Sequence, residues 1–376
     1  MKKILHIPNY YKPHIGGIEQ TCHDIVEALA DEYEQKVICF SEDKNTKIDE
    51  IDGVRVTKCG VWKKLFSQSI SFEYKRELKK EMKEYQPDIV IFHFPNPYVS
   101  HYLLRYCKKN KIRFIVWYHS DIVKQKLIRL FFEPQTKKIL KRADRIICTS
   151  PIYKSTSKNL IKFNNKVKVI PSCINEKRLV LTQEEELVSQ EIRAEYKNKI
   201  IVFAFGRHVK YKGLTYLIEA SKYLDASYQI LIGGAGPLTA KLKQEAANDA
   251  KIKFLGKISD KELRCYLKAM DIYAFPSITK NEAFGLSLAE GMYFGHPAVT
   301  FTIKGSGVNY VSINDRTGLE VDNKNAKGFA AALDRLGTDK SLRGQLGNQA
   351  SQRVLELFTF DKFKCLVLEL LKEESK

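Results

Sequence analysis

An α/β protein built from two doubly wound, parallel-sheet (Rossmann-like) domains facing across a cleft is the fold this sequence predicts. Three observations carry that expectation. Short continuous apolar runs alternate with amphipathic stretches, as in parallel sheets covered by helices on both faces. The alternation restarts after about residue 172. The chain has 376 residues, enough for two domains at about 100–200 residues each.

In the first half, strands are expected at residues 4–7, 36–40, 54–57, 88–92, 113–118, 145–149 and 167–170. Amphipathic stretches at 18–31, 72–85 and 122–141 read as the intervening helices. A proline-bearing crossover at 170–175 leads to an acidic stretch, and a second strand series follows at 200–205, 228–232, 252–255, 271–275, 298–301 and 318–321. Residues 340–376 read as two helices broken near Phe358-Thr-Phe. The expected division is therefore 1–172 and 173–357, with 358–376 packing back on the first domain. No repeat of 20–50 residues stands out, which excludes a solenoid.

Composition removes several function classes. No apolar run approaches the roughly 20 residues of a membrane span, and the N-terminal one is too short for a signal peptide, so it reads as a first strand. The eight cysteines are scattered without a CxxC, against a zinc site or disulfide framework and for a reducing cytoplasm. The net charge is +19, and residues 101–180 alone hold 20 Lys/Arg against 4 Asp/Glu. Such a face suits a polyanion: lipid head groups, a pyrophosphate-linked substrate or nucleic acid. No helix-turn-helix, RRM or zinc-finger pattern supports the last.

The stretch from Pro276 to Pro297 organises the candidate site. An apolar strand ends at Pro276, a polar loop follows, and a helix is expected over 285–294, with Gly295 and Pro297 as its stop. A helix start offers unpaired N–H groups and partial positive charge, suited to an anion near Phe284, Gly285 and Leu286. Glu282 precedes that helix, and Glu290 lies roughly 7–8 Å further along it. On spacing alone, a solvated helix with two surface glutamates fits equally well.

Four further segments sit where strands end. Gly16-Gly17 directly before a helix, with Glu19 in its first turn, allows a ligand to approach backbone closely; an ordinary turn is the plainer alternative. His119 and Asp121 follow a strand, where the histidine suits a substrate hydroxyl and the aspartate suits orienting it or binding acceptor; a structural histidine fits as well. Gly206, Arg207 and Lys212 place a bidentate fork and a point charge on one loop, able to hold a diphosphate without metal unless they form only a solvated basic loop. Gly234 and Gly236 form a glycine-rich turn, and Ile258 lies where backbone groups would meet a base edge. No four residues are spaced as metal ligands, and GxSxG and GxxxxGK[ST] are absent.

Together these segments resemble the retaining glycosyltransferases of the two-domain GT-B fold, the group often called family 4. Gly16-Gly17-Ile-Glu19, His119 with Asp121, Gly206-Arg207 with Lys212-Gly213, Gly234-Ala-Gly-Pro237 and the E-x7-E pair Glu282–Glu290 carry the resemblance, which spans nearly the whole chain. The Tyr-His-Ser-Asp form and Gly305-Ser-Gly-Val-Asn resemble bacterial enzymes of capsule, O-antigen or exopolysaccharide synthesis. Pro171-Ser-Cys-Ile-Asn175 departs from the usual Pro-Asn-Gly-Ile-Asp linker.

The resemblance implies a nucleotide-sugar donor held mainly by the second domain, with no cofactor and no metal. Arg207 and Lys212 would grip the diphosphate. Glu282 and the N–H groups of Phe284, Gly285 and Leu286 would hold the hexose, mannose being favoured, and Glu290 the ribose. His119 would contact the sugar near its reacting carbon, Gly17 would lie against phosphates or acceptor, and Glu19 and Asp121 would meet the acceptor. It also implies a lipid-linked oligosaccharide acceptor and a cytoplasmic protein peripheral at the inner membrane face. Its basic segment 124–141, with Leu127, Ile128, Leu130, Phe131 and Phe132, would lie on anionic lipid, unless its apolar stripe packs on the sheet. The alternatives are a nucleotide-sugar 2-epimerase of the same fold, and a nucleic-acid-binding or non-catalytic scaffold protein.

Overall fold

The computed structural model describes residues 1–14, 16–65, 68–109, 112–121 and 126–372, without the side chains of 65, 108, 109 and 126–131. The chain forms two compact units, Met1–Cys173 together with the chain from Phe360 onward, and Ile174–Thr359. The junctions fall one and two residues beyond the expected ones. Ile174 explains both shifts, because its N–H donates to the Phe358 carbonyl at 2.8 Å and it bridges to Thr359.

In the first unit the strands are β1 (Lys2–Ile7), β2 (Tyr33–Phe40), β3 (Lys47–Ile51), β4 (Val54–Cys59), β5 (Lys63–Leu65), β6 (Gln68–Ile70), β7 (Ile89–Phe94), β8 (Arg113–Tyr118), β9 (Arg145–Cys148) and β10 (Val167–Val169). Eight of them form a sheet in the order β10-β9-β8-β7-β1-β2-β4-β3, parallel except for β3. β5 and β6 form a separate hairpin. All six residues of β7 are buried, as a strand covered on both faces requires. Ile4, Ile89, Ile91, Ile115 and Trp117 line one face, and the helix Gly17–Leu29 covers them with Ile25, Ala28 and Leu29. The final helix, Phe360–Lys372, joins the same core.

The second unit contains β11 (Ile200–Phe205), β12 (Tyr228–Gly233), β13 (Ile252–Gly256), β14 (Ile272–Phe275), β15 (Ala298–Phe301) and β16 (Gly318–Val321). They form one parallel sheet in the order β13-β12-β11-β14-β15-β16. The order reverses between β11 and β14, and ligands of such sheets bind beyond the strand ends at that reversal. Val202, Phe203, Ile230, Leu231, Ile272 and Tyr273 are fully buried at the centre of its core. The helices Gln183–Glu195 and Asp260–Ala269 each begin with a capping box, Thr182/Glu185 and Ser259/Glu262. Among the described residues no helix is long and apolar enough to cross a membrane.

Candidate active site

The carboxyl ends of β11, β12 and β14 interlock through their loops. Gly206 N–H donates to the Gly233 carbonyl at 3.2 Å, and His208 N–H to Ala235 at 3.1 Å. Ile278 N–H reaches the Tyr211 carbonyl at 2.9 Å. Gly213 holds the closest approach: its φ is +63°, and a Cβ there would lie 2.0 Å from the Pro276 carbonyl oxygen. Gly206, Gly234 and Gly236 thus sit in one tight cluster, with Gly234 against the Gly206 backbone and Gly236 against that of His208.

Within this cluster the Lys212 ammonium meets the Glu282 carboxylate at 2.5 Å, with side chains only 15% and 13% exposed. Burial alone works to lower the Lys212 pKa, but the charge of Glu282, with Tyr211 and Glu290, outweighs it and holds it above the ordinary lysine value. Ser277 Oγ donates to the same carboxylate at 3.1 Å, and Ser306 Oγ donates to the Glu282 backbone carbonyl. Lys212 also lies 5.0 Å from the Phe275 ring centroid, a cation–π contact that keeps the ammonium at the strand end.

Arg207 lies on the same loop but is exposed, and among the described residues it makes no ion pair. Its charge, with those of Lys212 and Glu282, acts on Tyr211, whose pKa is raised chiefly by burial. The helix Leu286–Tyr293 begins after Gly285, which takes the left-handed φ of +94° and so needs no Cβ. Its first N–H groups have no partner within the helix. Phe284 is buried edge-on against Phe358 at 5.3 Å, which anchors the approach to that helix. Glu290, the fifth residue of the helix, is half-buried, and its charge acts together with that of Glu282 on Tyr273. Ile258, past β13, is half-buried and lies under Gly233.

In the first unit, Gly16, Gly17 and Glu19 stand at the carboxyl end of β1, and Glu19 is buried beside Gly16 in the first turn of its helix. Burial raises the Glu19 pKa. His119 follows β8 and is 7% exposed. Its Nε2 lies 3.0 Å from His93 Nδ1, and burial lowers its pKa to about 3, so the ring is neutral near pH 7. Asp121 accepts at Oδ1 from Tyr118 and Ser157, each at 2.7 Å, while its N–H donates to the Tyr153 hydroxyl. His119 thus pairs with His93, whereas Asp121 ties together Tyr118, Tyr153 and Ser157.

His93, Ser277 and Ser306 are the supporting residues that sequence reasoning missed. His93 lies one residue beyond the expected strand 88–92, and the structure carries that strand on to Phe94. Ser306 lies in the Gly305-Ser-Gly-Val-Asn segment, a signal that was legible but carried no assigned task. Of the basic segment 124–141, residues 124 and 125 and the side chains of Leu127, Ile128, Leu130 and Phe131 lie outside the described residues. The remainder belongs to the helix Lys126–Arg142, where Ile139 and Leu140 are fully buried and Lys137, Lys138 and Lys141 are exposed. That half of the apolar stripe packs inward.

Residues 15–178 match the profile described as Glycosyltransferase Family 4, and residues 187–353 the one described as Glycosyl transferases group 1. The D-rhamnosyltransferase WbpZ of Pseudomonas aeruginosa is 30% identical over 366 residues, covering 95% of this chain and 92% of that protein. The O-antigen chain mannosyltransferase C of Escherichia coli is 27% identical over 365 residues, covering 96% and 95%. Sucrose-phosphate synthase from Thermosynechococcus elongatus shares the fold with a TM-score of 0.82 at 21% identity, over 99% of both chains.

Two Rossmann-like units with a cationic strand-end loop and an acid pair define a GT-B glycosyltransferase. The chain belongs to the family 4 type of these enzymes, the group active in bacterial polysaccharide synthesis, and is a hexosyltransferase.

Proposed function

We propose that the enzyme moves a hexosyl group, with mannose favoured, from a nucleotide sugar to a lipid-linked or growing oligosaccharide of a cell-surface polysaccharide, with retention of anomeric configuration. One observation carries the proposal: the nearly buried Lys212–Glu282 pair beside the exposed, unpaired Arg207 at the strand-order reversal of the second unit. Two cations and a helix start suit a diphosphate, and an acid held in place by a lysine and a serine suits sugar hydroxyls. The named activities of the two relatives, on rhamnose and on mannose in an O-antigen chain, support a hexose of this kind.

In this mechanism the glycosidic bond to the diphosphate breaks as an oxocarbenium-like centre forms, and negative charge grows on the leaving oxygen. Arg207, Lys212 and the N–H groups at the start of Leu286–Tyr293 stabilise that charge. The acceptor hydroxyl attacks from the same face, and the departing phosphate oxygen takes its proton. Glu282 positions the hexose, Glu290 the ribose, and neutral His119 donates to or accepts from a sugar hydroxyl. Metal is not required by this scheme, because the two cations supply the charge. The lysine- and arginine-rich first unit favours attachment at an anionic inner membrane face.

A panel of nucleotide sugars scored by thermal shift, then by acceptor-dependent release of nucleoside diphosphate, tests the proposal. Release without acceptor, with inversion at C2, would identify the epimerase instead. Arg207→Ala is expected to lower turnover about 100-fold while changing stability by no more than about 0.5 kcal/mol, since the side chain is exposed and unpaired. Wild-type turnover in that variant, measured by steady-state kinetics, would remove Arg207 from the mechanism.

A further inference from the structure

Behind His119 lies a second cluster that the transfer chemistry does not use. His6 and His93 are each one residue from the end of their strands, β1 and β7, while Cys22 comes from the helix Gly17–Leu29 that covers this sheet face. In the register of the sheet His6 pairs with Ile91 and His93 with Trp117. Because successive residues alternate between faces, His6, His93 and His119 stand on one face, each two residues beyond the last. His6, His93 and Cys22 are fully buried, and one donor atom from each lies within 4.8 Å of the other two.

The hydrogen bonds decide which ring nitrogens are free. Gln35 Nε2 donates to the Val26 carbonyl at 2.9 Å, which fixes its amide, and its Oε1 therefore accepts from His6 Nε2 at 2.8 Å. In a neutral ring that leaves His6 Nδ1 as a bare lone pair, and it has no partner. His93 Nε2 is likewise buried without a partner, since its Nδ1 faces His119. Each such orphan has lost its water without gaining a partner, which is unfavourable. A shared atom between them would satisfy both, and the thiol beside them selects what that atom is. A water donating to both lone pairs would meet only the minimum of two partners and would leave the thiol unused, whereas a metal takes all three donors. Two imidazole lone pairs and a thiolate are the donor set of a thiophilic metal.

We propose that His6 Nδ1, His93 Nε2 and Cys22 Sγ form a metal site inside the first unit, of zinc(II) type. A trigonal or tetrahedral zinc with these donors spaces them by roughly 3.4–3.8 Å, so binding requires the three side chains to close on the ion by up to about 1 Å. Binding moves the Cys22 thiol proton to solvent and forms a sulfur–metal bond, with no change of oxidation state. Metal on His93 Nε2 confines that ring's proton to Nδ1, which then donates to His119 Nε2. His119 in turn keeps its own proton on Nδ1, so the buried ion sets the tautomer of the residue assigned to the sugar. The site is a positioning device and takes no step in transfer.

Metal-stripped full-length protein titrated with cobalt(II) is the test. Expected are a near-ultraviolet thiolate-to-cobalt band saturating at one equivalent per chain, and its displacement by zinc(II). Cys22→Ser should abolish the band, and Cys107→Ser should leave it intact. The loss of zinc affinity in Cys22→Ser should exceed the roughly 10–100-fold typical of an outer-shell partner. If Cys22→Ser does not fold, His6→Gln serves, with the same expected loss of one-equivalent binding. A wild-type protein that shows no band, or a band that survives Cys22→Ser, overturns the site and leaves a bridging water in its place. Donor hydrolysis by the metal-stripped protein reads the transferase separately, so failure of one proposal does not hide in the other.

Discussion

Lys212→Met is expected to lower turnover by about 100-fold or more and to destabilise the second unit by about 3–5 kcal/mol, the two effects sharing one cause. The ammonium lies 2.5 Å from Glu282 with both side chains largely out of water. Removing one partner strands the other charge where solvent reaches it poorly, so the cost exceeds what the pair contributes net. Lys212→Met/Glu282→Gln should recover most of the stability, since neither charge is then left alone, yet remain inactive. Urea denaturation and steady-state kinetics on both variants separate the two effects. A single variant with wild-type turnover would end the role given to the pair. Because Glu282 raises the Lys212 pKa, the lysine's share of the pair's contribution should be intact from neutral pH up to the ordinary lysine pKa of about 10.4 and fade as pH rises above it.

The strands most legible in the sequence were those covered on both faces. Residues 113–118, 200–205 and 298–301 form strands with the expected bounds, because a central parallel strand must be a continuous apolar run. β3 escaped notice because Lys47-Ile-Asp-Glu-Ile51 is a short, half-exposed edge strand pairing antiparallel with β4, and its burial pattern carries little apolar signal. The loops after strands were legible as candidate sites because ligands gather at strand ends in this class of fold. Their pairings were not. Lys212 and Glu282 are 70 residues apart, and only the adjacency of β11 and β14 brings them together. His93 and His119 meet for the same reason through β7 and β8. Spacing along the chain reports which face a residue takes; partners across a sheet follow from strand order, which no local pattern encodes.

Strand order also makes the last helix indispensable to a unit that begins some 360 residues earlier. Removing everything after Thr359 should unfold the first unit while leaving the second folded, seen as loss of one of two thermal transitions. Phe360, Phe363, Val367, Leu370 and Leu371 recur at helical spacing and are all buried against Ile4, Ile25, Ile115 and Trp117. At about 1.5–3 kcal/mol for each buried side chain their loss amounts to roughly 8–15 kcal/mol, comparable with the whole stability of a domain. Arg113 adds a second anchor, donating to the carbonyls of Leu370 and Leu371 at 2.7 and 2.9 Å, where a helix end has no partners of its own. Phe363→Ala should cost about 3–5 kcal/mol by itself, through the cavity left beside Trp117. Lys364→Ala breaks only an exposed pair with Asp31 and should cost under about 1 kcal/mol. A truncated chain that kept both transitions would mean that the first sheet closes its core without this helix, and that the chain's return to it adds little.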